Sequence, residues 1–292
     1  YYIIVTTFVV SLIYHILVVS MMKSALVTGC AGFIASHLTE KLLLNNWNII
    51  GLDNFHPYYD KQLKLKNLEK FKDHKNFKFV QGSILDTDIL KTFSNLNTVF
   101  HLAAIAGVRN SFETPDEYFK INIKGTQNIL KTFQNVDELI FASSSSVYGE
   151  VKPNEFPVKE NHLLNPISPY GESKKQSELL CQDYSEKLKI KTSILRFYTV
   201  YGPRQRPDEA IMKFITSAIL GKSIPIFGDG RKIRDYTYVS DIVDGIISSQ
   251  KFGNGIYNLG SGKPISLNDM VDIIEKKLDK KIKRQYVDSP KG

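Results

Sequence analysis

Cysteine is scarce in this sequence, and metal-binding motifs are missing. The 292 residues contain two cysteines, Cys30 and Cys181, whose spacing fits no metal-ligand pattern. Two isolated cysteines do not suit a disulfide-stapled scaffold or a cysteine-ligated zinc site. We therefore expect reduced thiols, no metal centre and a cytoplasmic protein.

Clusters of like charge are also missing, although the chain as a whole is basic. Its net charge is +8 and its pI is near 9.2, yet no run of five or more basic residues occurs. A solvated, lysine-rich surface explains this pattern better than a nucleic-acid interface does. A positive field also suits a small anionic substrate.

Residues 1–20 contain no Asp, Glu, Lys or Arg and are long enough to cross a bilayer. They lack the basic n-region of a signal peptide, and Met21 and Met22 follow them directly. We interpret residues 1–21 as a doubtful extension, either translated upstream sequence or a non-essential anchor. A membrane helix stays open, because hydropathy does not separate these alternatives. The chain stops at SPKG with no closing element, so we expect it to be truncated there.

From Ser24 onward, short apolar runs alternate with helical patterns. The predicted strands cover 24–29, 48–53, 77–84, 98–104, 138–144 and 192–197. The predicted helices cover 33–46, 86–93, 117–134 and 171–189, then 208–220, 240–249 and 267–279. Alternation at this spacing is typical of an α/β fold with a doubly wound parallel sheet. Beyond about residue 200, glycine and proline become frequent, which indicates a smaller C-terminal substrate-binding part.

The first strand leads into a glycine-rich loop, TGCAGFIA (28–35). Gly29 and Gly32 permit a tight turn and let a pyrophosphate approach backbone N–H groups at a helix N-terminus, while Ala35 is small enough for close packing. Asp53 ends the second strand, where a carboxylate accepts bonds from a ribose 2′-OH and repels a 2′-phosphate. This context predicts NAD rather than NADP. The alternative is that Asp53 is a turn residue before Asn54.

We accordingly divide the chain into a Rossmann domain that binds NAD, over 22–190, and a part over 191–292 that contains the sixth strand and binds substrate.

Tyr170 and Lys174 lie four residues apart in SPYGESKK and share a helix face. A nearby ammonium and a positive nicotinamide stabilise phenolate, which makes tyrosine a usable base. The serine-rich stretch FASSSSVYG lies upstream and offers hydroxyls to the phenol and to a sugar. His101, after the fourth strand, is better explained as a packing residue.

Taken together, these segments resemble the extended short-chain dehydrogenases/reductases, and within them the nucleotide-sugar 4-epimerases. The matching segments are TGCAGFIASHL, GLDN, HLAAIAGVRNS, NIKGT, ASSSSVYGE, SPYGESKK, LRFYTVYGPRQRPD, IFGDGRKIRDYTYVSDIVDG and YNLGSGKPISL. The resemblance implies a catalytic serine at Ser144, a base at Tyr170 and its partner at Lys174. It also implies a homodimer formed through two helices of each subunit.

The same resemblance implies a set of cofactor contacts. These are Gly29, Gly32, Phe33, Ile34, Asp53, Asn54, Ser83, Ile84, Leu102, Ala103, Ala104, Asn122, Tyr170 and Lys174. Ser83 and Ile84 stand where relatives place an acid–aliphatic pair against adenine. This departure weakens the expected adenine contact.

The serine run discriminates between reactions within the family. Sugar 4,6-dehydratases carry Thr-Asp-Glu before Val-Tyr-Gly, and UDP-glucuronate decarboxylases carry Glu directly before it. This chain has Ser144, Ser145 and Ser146. Hydroxyls cannot do the work of these carboxylic acids, so the resemblance favours epimerisation at C4 through a 4-keto sugar. A dehydratase or reductase of the family, and a non-catalytic NAD-binding protein, stay as alternatives.

The segments DNFHPYYD, AGVRNS and FYTVYGPRQRPD most resemble UDP-glucuronate 4-epimerases. The implied substrate contacts are Arg109, Ser145, Thr199, Arg206, Phe227 and Arg234. Of these, Arg109 and Arg206 could offset a C6 carboxylate, and Arg234 resembles an arginine that pairs with the diphosphate. Phe227 matches a residue of the uracil pocket, and Thr199 lies near the sugar. UDP-glucose and UDP-GlcNAc stay open as substrates.

Overall fold

The computed structural model describes residues 23–93 and 95–288. Its main sheet contains β1 (Ser24–Thr28), β2 (Asn48–Asp53), β3 (Phe77–Gln81), β4 (Thr98–His101), β5 (Glu138–Ser144), β6 (Lys191–Phe197) and β10 (Gly255–Leu259). The strand order is β10-β6-β5-β4-β1-β2-β3, and every neighbouring pair is parallel. The order reverses between β1 and β4, which is where open parallel sheets bind ligands.

Helices cover both faces of this sheet. The helices of the described residues are Phe33–Leu44, Lys61–Leu68, Thr87–Lys91, Pro115–Tyr118, Gly125–Thr132, Pro169–Leu188, Ala210–Ile219, Val239–Ser249 and Leu267–Leu278. Of these, Ala210–Ile219 and Leu267–Leu278 pack in a separate apolar cluster instead of on the main sheet. A π-helical segment, Phe119–Lys124, joins Pro115–Tyr118 to Gly125–Thr132. Short 3₁₀ turns lie at Asn110–Phe112, Ser145–Val147 and Pro153–Glu155. The doubly wound parallel sheet is therefore confirmed.

Two apolar layers hold the helices to the sheet. One layer contains Leu38 and Leu42 of the first helix and Ile242 and Ile246 of the Val239–Ser249 helix. The layer on the other face contains side chains from Thr87–Lys91, Gly125–Thr132 and Pro169–Leu188. Because both faces are covered, the central strands are buried along most of their length and appear in the sequence as continuous apolar runs.

The remaining strands form two small sheets beside the main one. The strands β7 (Thr199–Tyr201), β9 (Ile233–Tyr238) and β11 (Pro264–Ser266) make a three-stranded sheet. The strands β8 (Ile224–Phe227) and β12 (Arg284–Val287) pair in parallel. A separate apolar cluster, which includes Phe214, Ile226 and Val271, packs here.

None of the helices in these two stretches is long and apolar enough to cross a membrane. Our expectations for residues 1–20 and for the terminal SPKG concern residues outside those that the structure describes.

Candidate active site

A cavity of about 350 Å³ opens where the carboxyl ends of the parallel strands meet. Its walls include the loops that follow β1, β2 and β4, the end of β5, and the start of the Pro169–Leu188 helix. Among the predicted site residues, those that line it are Gly29, Gly32, Phe33, Ile34, Asp53, Asn54, Ser83, Ile84, Leu102, Ala103, Ala104, Ser144, Tyr170, Lys174, Thr199 and Arg206. The topology thus brings residues from six strand ends into one site.

The glycine loop after β1 has a conformation that requires Gly29. This residue has φ +73°, and a Cβ placed on it would lie 3.0 Å from the Ala103 Cα. Gly32 is the N-cap of the Phe33–Leu44 helix and makes no side-chain cap bond, and the first turn of the helix holds no acidic residue. The first N–H groups of this helix are therefore available to an anion, as in phosphate-binding loops.

The Asp53 carboxylate is tied to this loop. Its Oδ2 accepts the Ala31 N–H at 3.1 Å, and its Oδ1 accepts the Phe55 N–H at 2.8 Å. Burial raises the pKa of Asp53, while these N–H groups and the Lys64 ammonium lower it. On the other side of the same loop, Asn67 Nδ2 donates to the Ala31 carbonyl at 2.9 Å. The loop that receives the anion is thus fixed from both sides.

Lys64 is a cavity residue that the sequence reasoning missed. It is 6% exposed, its Nζ donates to the His56 carbonyl at 2.7 Å, and it lies 4.5 Å from the Tyr59 ring centre. Burial lowers the pKa of Lys64, and the nearby Asp53 carboxylate raises it. The buried Tyr59 hydroxyl and His56 Nδ1 have no hydrogen-bond partner within the described residues. These groups suit a ligand that carries oxygen acceptors and donors.

Lys64 and Asn67 could have been found from the Lys61–Leu68 helix, which begins eight residues after Asp53. Its spacing presents Lys64 and Asn67, three residues apart, on one face. Both are buried polar residues on a lysine-rich helix. A search for apolar periodicity passes over such a helix.

The reactive cluster stands at the junction of β5 and the Pro169–Leu188 helix. Ser168 caps this helix by accepting the Gly171 N–H, and Pro169 occupies its first turn. Tyr170 therefore lies at a helix N-terminus, where the positive end of the dipole favours an anion. Burial raises the pKa of Tyr170, while a hydrogen bond with Ser144 and the charge of Arg206 lower it.

Lys174 lies one turn further along this helix and is 4% exposed. Its ammonium is 4.5 Å from the centre of the Phe141 ring, and burial lowers its pKa to about 8. Ser144 donates its hydroxyl to Ser146 Oγ at 3.1 Å. Hydroxyl, phenol and ammonium therefore line the same cavity.

Asn122 lies behind the cavity wall instead of lining the cavity. Its Oδ1 accepts the Ile105 N–H at 2.9 Å, and its Nδ2 donates to the Ile105 carbonyl and to Ser173 Oγ. It is 1% exposed, and these bonds use both ends of its amide. Asn122 therefore supports the loop after β4 from behind the cavity wall, and its contact with the cofactor stays a prediction.

His101 is buried between two threonines. It bonds Thr28 Oγ1 at 2.8 Å through Nδ1 and Thr126 Oγ1 at 3.0 Å through Nε2. Burial lowers its pKa to about 3, so the ring is neutral at physiological pH. Thr28 Oγ1 also accepts the N–H groups of Leu102 and Ala103. His101 therefore joins the end of β1 to the Gly125–Thr132 helix, in agreement with the expected packing role.

The predicted substrate residues divide into two groups. Thr199 and Arg206 line the cavity, and Arg206 pairs with Asp208 at 3.0 Å and Glu209 at 3.3 Å. The others do not line it: Ser145, Arg109, Phe227 and Arg234. Arg109 stacks on the Phe227 ring, with its guanidinium carbon 4.3 Å from the ring centre. The structure therefore brings Arg109 and Phe227 together, but apart from the reactive cluster.

Comparison with known proteins places these features in context. A family model described as GDP-mannose 4,6 dehydratase matches residues 26–291. A UDP-glucuronate 4-epimerase of Thermodesulfobacterium geofontis is 43% identical over 275 residues, which cover 91% of this chain and 84% of that protein.

Two solved structures are similar over most of their length. One is a UDP-glucuronic acid 4-epimerase from Bacillus cereus in complex with UDP-glucuronic acid and NAD, with TM-score 0.88, 37% identity, and coverage of 92% of this chain and 87% of that one. The other is a UDP-glucose 4-epimerase from Thermotoga maritima with UDP-glucose, with TM-score 0.84, 32% identity, and coverage of 92% and 87%.

Proposed function

Since this chain belongs to the GDP-mannose 4,6-dehydratase family of extended short-chain dehydrogenases/reductases, we propose that it inverts C4 of UDP-glucuronate with NAD as its cofactor. The chain is an NAD-dependent nucleotide-sugar 4-epimerase; UDP-glucuronate is the part that we add. The observation that carries the proposal is the set Ser144, Tyr170 and Lys174 at the cavity wall.

The residues fit NAD. The uncapped start of the Phe33–Leu44 helix suits a pyrophosphate, and the Asp53 carboxylate suits a ribose hydroxyl. The unpartnered Tyr59 hydroxyl and the buried Lys64 ammonium offer further polar contacts. When bound, NAD supplies the chemistry of accepting a hydride from C4 and giving it back.

Tyr170 acts as the base on the 4-hydroxyl of the sugar. Because burial raises the pKa of its phenol, the phenolate needs positive charge nearby. Arg206 supplies part of that charge, since it lowers the pKa of Tyr170, and Lys174, whose pKa is about 8, adds an ammonium at pH 7 one helical turn away. The helix N-terminus adds to it. Ser144 is placed to share a hydrogen bond between the phenol and the reacting hydroxyl, so that the proton has a defined path in both directions.

The direction of the chemistry follows from the hydroxyls at 144–146. A dehydratase of the family needs carboxylic acid–base groups there, and this chain offers serine side chains. Because serine hydroxyls cannot act as that acid and base, the 4-keto sugar cannot lose water here as it does in a dehydratase. With no acid–base pair for elimination, the residues present would leave only reduction at C4 to the bound cofactor, and reduction from the opposite face would give the epimer.

Arg206 supports a substrate with a C6 carboxylate. Its Nε and Nη2 are held by Asp208 and Glu209, while its Nη1 makes no hydrogen bond within the described part of the chain. A guanidinium held in this way can still donate to a carboxylate oxygen. The two acidic neighbours also offset the charge of Arg206, and this observation favours a UDP-hexose whose sugar is uncharged, such as UDP-glucose, as the second candidate.

The test incubates the purified protein with UDP-glucuronate or with UDP-glucose, without added NAD, and analyses the products by NMR. We expect UDP-galacturonate from UDP-glucuronate, because the cofactor is regenerated in each turnover and stays bound. Turnover of UDP-glucose alone contradicts the choice of sugar. A 4-keto-6-deoxy product contradicts epimerisation.

A further inference from the structure

A buried ion pair lies behind the reactive cluster and has no part in the mechanism above. Glu178 is 1% exposed and Arg196 is 2% exposed. Arg196 Nε lies 3.0 and 3.2 Å from the two carboxylate oxygens, and Nη2 lies 2.7 Å from Oε2. Desolvation makes such pairs costly, and apolar residues of similar volume often serve stability equally well. Stability alone therefore does not explain the pair.

The other polar atoms of the pair are satisfied by segments of the site. Glu178 Oε1 also accepts the Ser143 hydroxyl. Arg196 Nη1 donates to the Tyr148 hydroxyl at 2.9 Å and to the Glu160 carbonyl at 2.8 Å. A fully bonded network of this kind fixes one arrangement of the groups that it joins.

The network extends to the last strand of the main sheet. Tyr148 donates its hydroxyl to Asn258 Oδ1 at 2.7 Å, and Asn258 Nδ2 donates to the Val158 carbonyl at 2.9 Å. Because Tyr148 accepts from the guanidinium and donates to the amide, the direction of both bonds is defined. The Val-Tyr-Gly tyrosine thus serves as a link within the wall.

Each member of the pair is close in sequence to a residue of the site. Glu178 lies one helical turn after Lys174, and its partner Ser143 directly precedes Ser144. Arg196 lies in β6 opposite Ser143, and the chain that follows it lines the cavity. The ion pair therefore connects the two segments that carry the hydroxyl, the phenol and the ammonium with the end of β6, which leads into cavity-lining residues 197–200.

We propose that Glu178 and Arg196 are positioning residues whose ion pair holds the end of β5, the Tyr170 helix and the end of β6 in the reactive arrangement. This proposal rests on the proposed function, because it concerns the same cluster. The pair also has an electrostatic consequence. Burial lowers the pKa of Lys174, and the Glu178 carboxylate raises it, so Glu178 helps to keep Lys174 charged at neutral pH.

The chain offers a matched control at the opposite end of the same two strands. Glu138 begins β5 and Lys191 begins β6; the two residues are in register, and their charged groups are 3.1 Å apart. Neither lines the cavity. Loss of this pair tests what an ion pair between β5 and β6 contributes without contact to the site.

The experiment compares Glu178→Gln with Glu138→Gln. The pKa of Lys174 is measured from lysine ¹³Cε resonances and assigned with Lys174→Arg, and kcat and KM are measured with UDP-glucuronate. Loss of the negative charge should lower the Lys174 pKa by about one unit, which by itself reduces the ammonium fraction at pH 7 only about twofold. Loss of the link between the segments should bring the total fall in kcat at neutral pH to about tenfold, with KM within about twofold. Glu138→Gln should change neither value.

Arg196→Gln supplies a change of opposite sign. It leaves the carboxylate unpaired, so the Lys174 pKa should rise, while kcat falls because the segments lose their link. If this variant does not fold, Glu178→Gln alone decides. An unaltered Lys174 titration and an unaltered kcat in Glu178→Gln overturn the proposal. If Lys174 responds as expected but the wild-type protein turns over no UDP-sugar, the proposed function fails and the positioning of Lys174 stands.

Discussion

The cavity has two halves, one formed by residues that follow the parallel strands and the other by residues on loops and short strands. The half that we assign to the cofactor consists of Gly29–Ile34, Asp53–Asn54 and Leu102–Ala104, which follow buried parallel strands. The half that we assign to the substrate contains Thr199 and Arg206; the other predicted substrate residues Arg109, Phe227 and Arg234 do not line the cavity and lie on loops and short sheets. Arg109 and Arg234 are exposed. A half built on the sheet is preformed, whereas a half built on loops can vary in specificity while the scaffold is kept.

Tyr170 stands where the two halves meet, so its loss should have the largest effect. Tyr170→Phe removes the base and should lower kcat by about 10³-fold, within the range for general base catalysis, while NAD affinity is retained. Turnover assays and calorimetric titration with NAD check this. Tyr118→Phe is the control, because its ring lies 6.2 Å from that of Tyr170 and its hydroxyl bonds the Ala106 carbonyl. Equal losses in both variants contradict the assignment.

In the half that we assign to the cofactor, substitution of Gly29 should cause the main loss of NAD affinity. Gly29→Ala places a Cβ 3.0 Å from the Ala103 Cα in a left-handed backbone conformation. We expect NAD affinity to fall by roughly 2–3 kcal/mol, about 100-fold. Gly221→Ala is the matched control, since Gly221 has φ +67° and a Cβ added to it would have no neighbour within 4 Å. If both variants bind NAD equally well, the close approach of the two loops does not govern binding.

The substrate half should respond in a way that depends on the sugar. Arg206→Gln removes the guanidinium of the cavity and should raise KM for UDP-glucuronate about 10- to 30-fold, the value of one charge-assisted hydrogen bond. KM for UDP-glucose should change less. Arg204→Gln serves as the control, because Arg204 pairs with Glu40 and does not line the cavity. A similar rise for both sugars argues against recognition of a carboxylate.

The smallest effect that we expect near neutral pH is a change of kcat with pH, caused by the titration of Lys174. The Lys174 pKa is about 8, so the ammonium is present below this pH and is lost above it. The kcat should therefore fall by about tenfold per unit on the alkaline side. In Lys174→Arg the cation persists, so this alkaline fall should vanish even though the overall rate is lower. A pH–rate profile from neutral to alkaline pH, measured on both proteins, shows whether Lys174 is the titrating group.

The main strands could be predicted because strands buried on both faces consist largely of consecutive apolar residues. The strands β2 and β5 were predicted with their observed bounds, 48–53 and 138–144. The strand β10 was missed, since each residue of Gly255–Leu259 is half-buried at the edge of the sheet. The helix Lys61–Leu68 was missed because its buried face carries Lys64 and Asn67 in place of apolar side chains.

The site could be predicted where a residue acts through its position at the end of a strand. Asp53 and Ser144 are of this kind. The ion pair of Glu178 and Arg196 could not be predicted, because it joins a helix residue to a strand residue 18 positions further along the sequence. The support that Asn122 gives to the loop after β4 could not be predicted either, since its partners Ile105 and Ser173 lie far from it in sequence.

The π-helical segment Phe119–Lys124 has a consequence for how this fold can be altered. A π turn holds an extra residue, which shifts the rotational phase of everything after it. The carbonyl of Asn122, within the segment, accepts hydroxyls from both Thr126 and Ser177. Deleting one residue here would restore the α-helical phase and turn the Asn122 amide away from the loop that it supports. A single-codon deletion in this segment, which also carries the cavity-lining Ile121, should thus weaken cofactor binding although the glycine loop and Asp53 are unchanged in sequence.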